Sequence, residues 1–149
     1  MGLDDFDRPL NERGKRDAPE MARRLKKKNI KIDALISSPA KRAYKTAKYF
    51  AEVFELKKED IILVDRLYHA SVTQFLETIG SMDDRYHSAI IFSHNPGITD
   101  FANLLTSVRI DNMPTCSVFA VQSDVEQWKD FFKSEKKFLF FDYPKNPLG

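Results

Sequence analysis

Ala89-Ile90-Ile91-Phe92-Ser93-His94-Asn95-Pro96-Gly97 is the stretch on which the fold turns. Its first four residues are apolar without alternation, the pattern of a parallel strand covered on both faces. The run then breaks into three polar residues and a proline, which has the fixed φ and missing N–H that suit the first turn of a helix. Ile98, Phe101, Leu105 and Val108 follow at helical spacing. The stretch therefore reads as a central strand that passes directly into a helix capped by Asn95.

The same handover occurs upstream. Ala34-Leu35-Ile36-Ser37 predicts a short buried strand, and Ser38-Pro39 supplies an N-cap and a first helical residue in the order helices prefer. The helix carries Ala43, Thr46, Ala47, Phe50 and Phe54 on one face and ends near Glu55, before a connection over Lys57 to Asp60. Ile61 to Val64 predicts another strand, and Leu67-Tyr68-His69-Ala70-Ser71 leads into a short helix with Phe75, Leu76 and Ile79 inward.

Ahead of these units, Ala18, Met21, Ala22 and Leu25 mark one face of a helix running from Asn11, its N-cap, to Asn29. Pro19 is expected to kink that helix or cost it a hydrogen bond, and Lys26-Lys27-Lys28 marks its solvated C-terminal turn. Two late strands, Ser117 to Gln122 and Lys136 to Phe141, flank a turn or short helix over Val125 to Phe132. Strands alternating with helices imply right-handed crossovers. The expected fold is α/β, a three-layer α/β/α sandwich around a mostly parallel sheet, in one domain spanning 1–149. The chain opens on a polar loop and a helix, with no strand ahead of them to complete the first βαβ unit.

Bulk properties narrow the function. A chain of 149 residues buries about two-thirds of its unfolded surface. Its 24 Lys+Arg against 22 Asp+Glu leave a net charge of +2, far from the basic excess of a nucleic-acid-binding domain. The cluster Arg23, Arg24, Lys26, Lys27 and Lys28 supports at most weak, salt-sensitive binding of that kind. The single cysteine, Cys116, forms no internal disulfide and lacks partners for a structural zinc site, so a reducing cytoplasm is the expected setting. No membrane span or signal peptide is expected: the start Met1-Gly2-Leu3-Asp4-Asp5 has neither the basic nor the apolar region of a leader.

In such sheets ligands bind beyond the carboxyl ends of the strands, where helix N-termini point free N–H groups outward. At one junction Arg42 lies about one turn into its helix, where a guanidinium can fold back and hold two phosphate oxygens. At the other, His94 follows a buried strand. Taken singly, each residue has an ordinary explanation, a solvated surface charge for Arg42 and a packing role for His94. Their equivalent placement makes the pair a candidate phosphate site.

The sequence resembles the histidine phosphatase superfamily, and within it the small SixA-type phosphohistidine phosphatases, whose fold is phosphoglycerate mutase-like. Four segments carry the resemblance: Asp7 to Gly14, Ser37-Ser38-Pro39 through Arg42 with Thr46-Ala47, Ser93-His94-Asn95-Pro96, and Met113-Pro114-Thr115. The resemblance implies a phosphate pocket of two arginines and two histidines, one histidine being the nucleophile, and no metal or other cofactor. Arg42 resembles the second arginine and His94 the second histidine.

The family's nucleophile lies in an Arg-His-Gly or Arg-His-Ala motif ending its first strand. None of the three histidines here, His69, His87 and His94, follows an arginine. The resemblance places that strand just upstream of Leu3, so the chain is expected to be truncated at its N-terminus, with its first strand missing. Without the nucleophile strand the chain is expected to be inactive.

Other residues enter as contacts. Arg8 either reaches phosphate or pairs with Asp5 or Asp7. Ser38 and Thr115 offer hydroxyls, Asn95 an amide, and His69 sits where it could reach the pocket rim as a proton donor. The expected partner is a phosphorylated protein or a small phosphomonoester. A non-catalytic phosphate-binding module is the alternative. Neighbours of a missing strand would expose unpaired backbone, which makes a homo-oligomer an expected way to cover it.

Overall fold

The structure, a computed structural model, describes residues 4–147; the readings of Met1 to Leu3 fall outside them. Helix α1 spans Glu12–Lys27, β1 Ala34–Ser37, α2 Lys41–Val53, β2 Ile62–Leu63, α3 Val72–Gly80, β3 Ala89–Phe92 and α4 Gly97–Leu105. Strands β4, Val118–Gln122, and β5, Lys137–Asp142, follow. Short 3₁₀ turns cover Asp5–Asp7, Lys58–Asp60, Asp65–Leu67 and Trp128–Lys133.

The α/β class is borne out: β1, β2 and β3 form a parallel sheet in the order β2-β1-β3, with helices packed against it. On one side α1 and α2 bring Met21, Leu25, Ala47 and Phe50 into a cluster with Leu35 and Phe92. On the other, Phe75, Ile79 and Phe101 pack with Ile36 and Leu67. Phe50 meets Phe92 edge-on with ring centroids 5.2 Å apart, and Phe75 stacks on Phe101 at 4.8 Å. Each such fully buried side chain stabilises the fold by roughly 2–3 kcal/mol.

Several local expectations change. Strand β1, buried along all four residues, is the central strand, whereas β3 lies at the sheet edge with Ala89 to Ile91 only half-buried. The expected second strand shrinks to two exposed residues because only Ile62 and Leu63 meet β1. The late strands pair antiparallel with each other in a separate sheet, with a bulge between Ala120 and Val121.

Helix starts also shift. Ser38-Pro39 precedes α2, whose cap position is Ala40; the Ser38 hydroxyl accepts the Ala40 N–H at 3.2 Å. Asn95 does not cap α4, since its side-chain amide donates to the Met113 carbonyl at 2.9 Å and its side-chain oxygen accepts from Thr99. Asn11 does cap α1, accepting the Gly14 N–H at 2.8 Å. That helix runs on through Pro19, so the Lys15 carbonyl loses the N–H that would normally reach it from four residues on.

Among the described residues the two sheets are not hydrogen-bonded to each other. Between β3 and β4 lies a cleft of about 880 Å³ lined by both strands. Past Phe92 its lining continues to Ser93, His94 and Asn95, and it reaches Arg8 and Arg42.

Candidate anion site at the strand ends

Arg42 is the second residue of α2, so its side chain can turn back over the carboxyl end of β1. Its guanidinium holds Asp5 with two nitrogens: Nη1 donates to the Asp5 carbonyl at 2.6 Å and Nη2 to the carboxylate Oδ2 at 3.1 Å. Arg8 approaches the other carboxylate oxygen, Oδ1, at 3.1 Å, and the Tyr68 hydroxyl donates to Oδ2 at 2.8 Å. One carboxylate is thus shared by two guanidiniums and a phenol. The Tyr68 bond and the cations hold the Asp5 carboxyl below its usual range, and the same bond raises the Tyr68 phenol.

His94, just past β3, stands behind this cluster. Its Nε2 lies 2.8 Å from the Ser38 hydroxyl, and its ring meets the edge of Tyr68 at 5.6 Å between centroids. Ser38 is fully buried and its oxygen already accepts from Ala40. Its hydrogen therefore has His94 Nε2 as the available acceptor, which assigns the imidazole proton to Nδ1. Burial pushes His94 down to about 4, and the positive charge of Arg42 adds to that shift. The imidazole is neutral at neutral pH, held beside two cations by the hydroxyl.

The structure brings Arg42, Arg8, His94 and Ser38 together. Arg8 makes the Asp5 ion pair expected as one of its two readings. Asn95 borders the cleft but spends its side chain on Met113 and Thr99. Thr115 is exposed at the cleft, with no hydrogen bond from its side chain among the described residues. His69 is exposed, at φ 59°, and packs at a 46° tilt against Tyr68, with ring centroids 4.0 Å apart, rather than entering the cleft. Two members escaped the sequence reading. Asp5 was visible only as a partner for Arg8, and Tyr68 had no pattern to distinguish it.

Among the described residues no group of side chains is arranged to hold a metal ion, and no helix is long and apolar enough to cross a membrane. What the site offers is paired cationic donors, a phenol and a neutral imidazole at the ends of parallel strands, which suits a tetrahedral oxyanion.

The family description "histidine phosphatase superfamily (branch 1)" matches residues 4–68, the span holding Asp5, Arg8, Ser38, Arg42 and Tyr68. Over that span, less than half of the chain, the sequence is similar to the histidine phosphatase superfamily. Its fold is shared with the protein histidine phosphatase SixA solved in complex with tungstate, at a TM-score of 0.81 and 20% identity over 98% of this chain and 90% of that one. A protein assigned as the phosphohistidine phosphatase SixA of Agrobacterium tumefaciens aligns at 0.78 and 22% identity, covering 96% and 88% of the two chains. Its counterpart from Nakamurella multipartitia aligns at 0.80 and 16%, covering 97% and 90%. No curated protein matches the sequence.

Proposed function

We propose that this histidine phosphatase fold serves phosphoryl hydrolysis on a phosphohistidine or phosphomonoester, through a covalent phosphohistidine intermediate. The observation that carries the reading is the Asp5 carboxylate held by Arg42, Arg8 and Tyr68 beside His94. A carboxylate gripped in this way marks where a phosphoryl group would sit, and the tungstate described for one structural relative is an oxyanion of the same shape class.

In this reading Asp5 withdraws and Arg42 takes two equatorial oxygens of the phosphoryl group, as its planar fork allows. His94 donates a hydrogen bond to an oxygen whose charge grows in the transition state. An attacking imidazole nitrogen forms the N–P bond while the bond from phosphorus to the leaving group breaks, its electron pair leaving with that group. Water then cleaves the N–P bond to release phosphate and restore the imidazole. His94 is committed to Ser38, His69 to Tyr68, and His87 lies at the opposite end of β3. The resemblance to SixA-type phosphatases assigns the nucleophile instead to an Arg-His motif, which none of the three histidines matches.

The test compares hydrolysis of an aryl phosphate and of phosphohistidine by the given chain and by a version with an Arg-His strand placed ahead of Leu3. Turnover is expected only in the second and should fall on His94→Ala. Binding of phosphate without turnover by the extended version would favour a non-catalytic binding module instead.

A further inference from the structure

Helix α2 carries its charges unevenly. Lys41, Arg42, Lys45 and Lys48 share it with one carboxylate, that of Glu52 near its far end. No acidic residue lies in its first turn, where Lys41 and Arg42 meet the positive end of the helix dipole at a cost in stability. On neighbouring α1 the charges are balanced in place: Arg13, Lys15, Arg23 and Arg24 pair with Asp17, Glu12 and Glu20. Among the described residues Lys41, Lys45 and Lys48 form no ion pair. Lys45 and Lys48 lie instead over the rings of Tyr49 and Tyr44, at 5.0 and 4.6 Å from the centroids. These contacts hold two ammonium groups against the helix without neutralising them.

The three lysines form one row. Their spacing along the sequence sets them on one face of α2, away from the buried Ala43, Ala47 and Phe50. At about 1.5 Å of rise per residue the row is about 10 Å long. It starts beside Arg42, whose guanidinium belongs to the anion site. The chain itself shows which chemistry fits the start of this helix: the acidic turn Asp4-Asp5-Phe6-Asp7 packs against α2, with Asp5 on Arg42. That turn makes its ion pair with Arg42 alone on this helix, so Lys45 and Lys48, further along, stay uncompensated.

We propose that the lysine row of α2 docks an acidic segment of a phosphorylated protein, a run of about three Asp or Glu residues next in sequence to the residue whose phosphoryl group occupies the anion site. The inference rests on the phosphatase reading for that phosphoryl group, and it makes the substrate a protein rather than a small phosphomonoester. Unlike charge across the contact steers the segment toward the site and selects against neutral or basic flanks. Attraction between exposed charges reaches about 10 Å in a dilute buffer and shrinks as salt is added.

The test uses two fluorescent phosphoserine peptides, one with glutamates on both sides of the phosphoserine and one with glutamines there. Anisotropy titration with the full chain should show the acidic peptide binding about ten-fold more tightly at about 50 mM salt, and less than about three-fold more tightly at about 500 mM. Lys41→Gln, Lys45→Gln and Lys48→Gln combined should bring the acidic peptide down to the affinity of the glutamine peptide. Arginine at the same three positions should keep the preference, since a guanidinium carries the charge and also lies over a tyrosine. A control with Lys129→Gln, Lys133→Gln and Lys137→Gln removes the same charge from exposed positions outside α1 and α2, and should keep it too.

Equal affinity for the two peptides, a preference unchanged at high salt, or a preference that survives the three glutamines on α2 would each overturn the proposal. Its loss in the Lys129, Lys133 and Lys137 variant would also overturn it, since net charge and not the row would then be the cause. So would pelleting with phosphatidylserine vesicles that depends on the three α2 lysines without any peptide preference, because the row would then serve a membrane surface. An acidic preference with no phosphohistidine hydrolysis by the version carrying an Arg-His strand would uphold the row and count against the phosphatase reading. Hydrolysis without the preference would do the reverse.

Discussion

Sulfate binding to His94 provides a direct measure of how the site works, because sulfate keeps its double charge across the range in which a histidine titrates. In the free protein His94 is held down at about 4 by burial and by Arg42. A dianion seated on Arg42 reverses the local charge and favours the imidazolium, which it stabilises by charge. If the bound value returns to the ordinary 6.5, linkage gives a sulfate affinity about 30-fold higher at about pH 5 than at about pH 8. His94 is only half-buried, so solvent screening reduces the expected gain to about ten-fold.

Titration calorimetry across that range, on the given chain and on His94→Gln, isolates the effect, since contributions from the other groups are common to both proteins. The variant should lose most of the dependence. A wild-type affinity that varies less than about three-fold, or a variant that keeps the full slope, would refute the placement of His94 against the anion. The same proton acts on stability with a definite sign. The unfolded chain takes it up first as pH falls through about 6.5, so the fold loses stability between there and about 4 and no further below.

Three further outcomes follow from the geometry. Asp5→Asn removes the internal carboxylate from Arg42 and Arg8 while keeping a side chain that Tyr68 can bond, and sulfate should bind several-fold more tightly in the same calorimetric assay. Gly97→Ala places a Cβ against the Ala70 carbonyl oxygen, which is backbone and cannot swing aside; thermal unfolding should show a loss of about 1–3 kcal/mol, or roughly 2–4 °C for each kcal/mol. Pro19→Ala returns the missing N–H to the Lys15 carbonyl in the middle of α1 and should raise stability by about 1–3 kcal/mol, read by urea unfolding.

The parts of the fold that were legible are those decided by local chemistry. Ala34–Ser37 and Ala89–Phe92 are strands because they are short apolar runs closed by polar junctions, and both have the bounds their residues suggest. Ser71 and Gln74 set the start of α3 through a reciprocal capping box. Where a residue had competing uses, the sequence could not rank them. Asn95 reads as a cap, but Met113 and Thr99 claim its side chain from a distant loop and from the next turn of the helix. Arg42 and His94 were legible through their position after β1 and β3. Asp5 and Tyr68 were not, because they reach the site from segments whose only shared feature is spatial.

The position of β3 shows why an apolar run indicates burial but not what provides it. The sequence of Ala89 to Phe92 demands cover on both faces and a partner on both edges. The structure supplies the faces from two helical clusters and one edge from β1, and leaves the other edge open on the cleft. Ala89 to Ile91 are half-buried as a direct result. The same opening leads to Arg42 and His94, so the free edge of the sheet and the anion site share one cleft. A ligand that binds along that edge and protects the Ala89 and Ile91 amides should therefore raise the unfolding temperature as its occupancy grows.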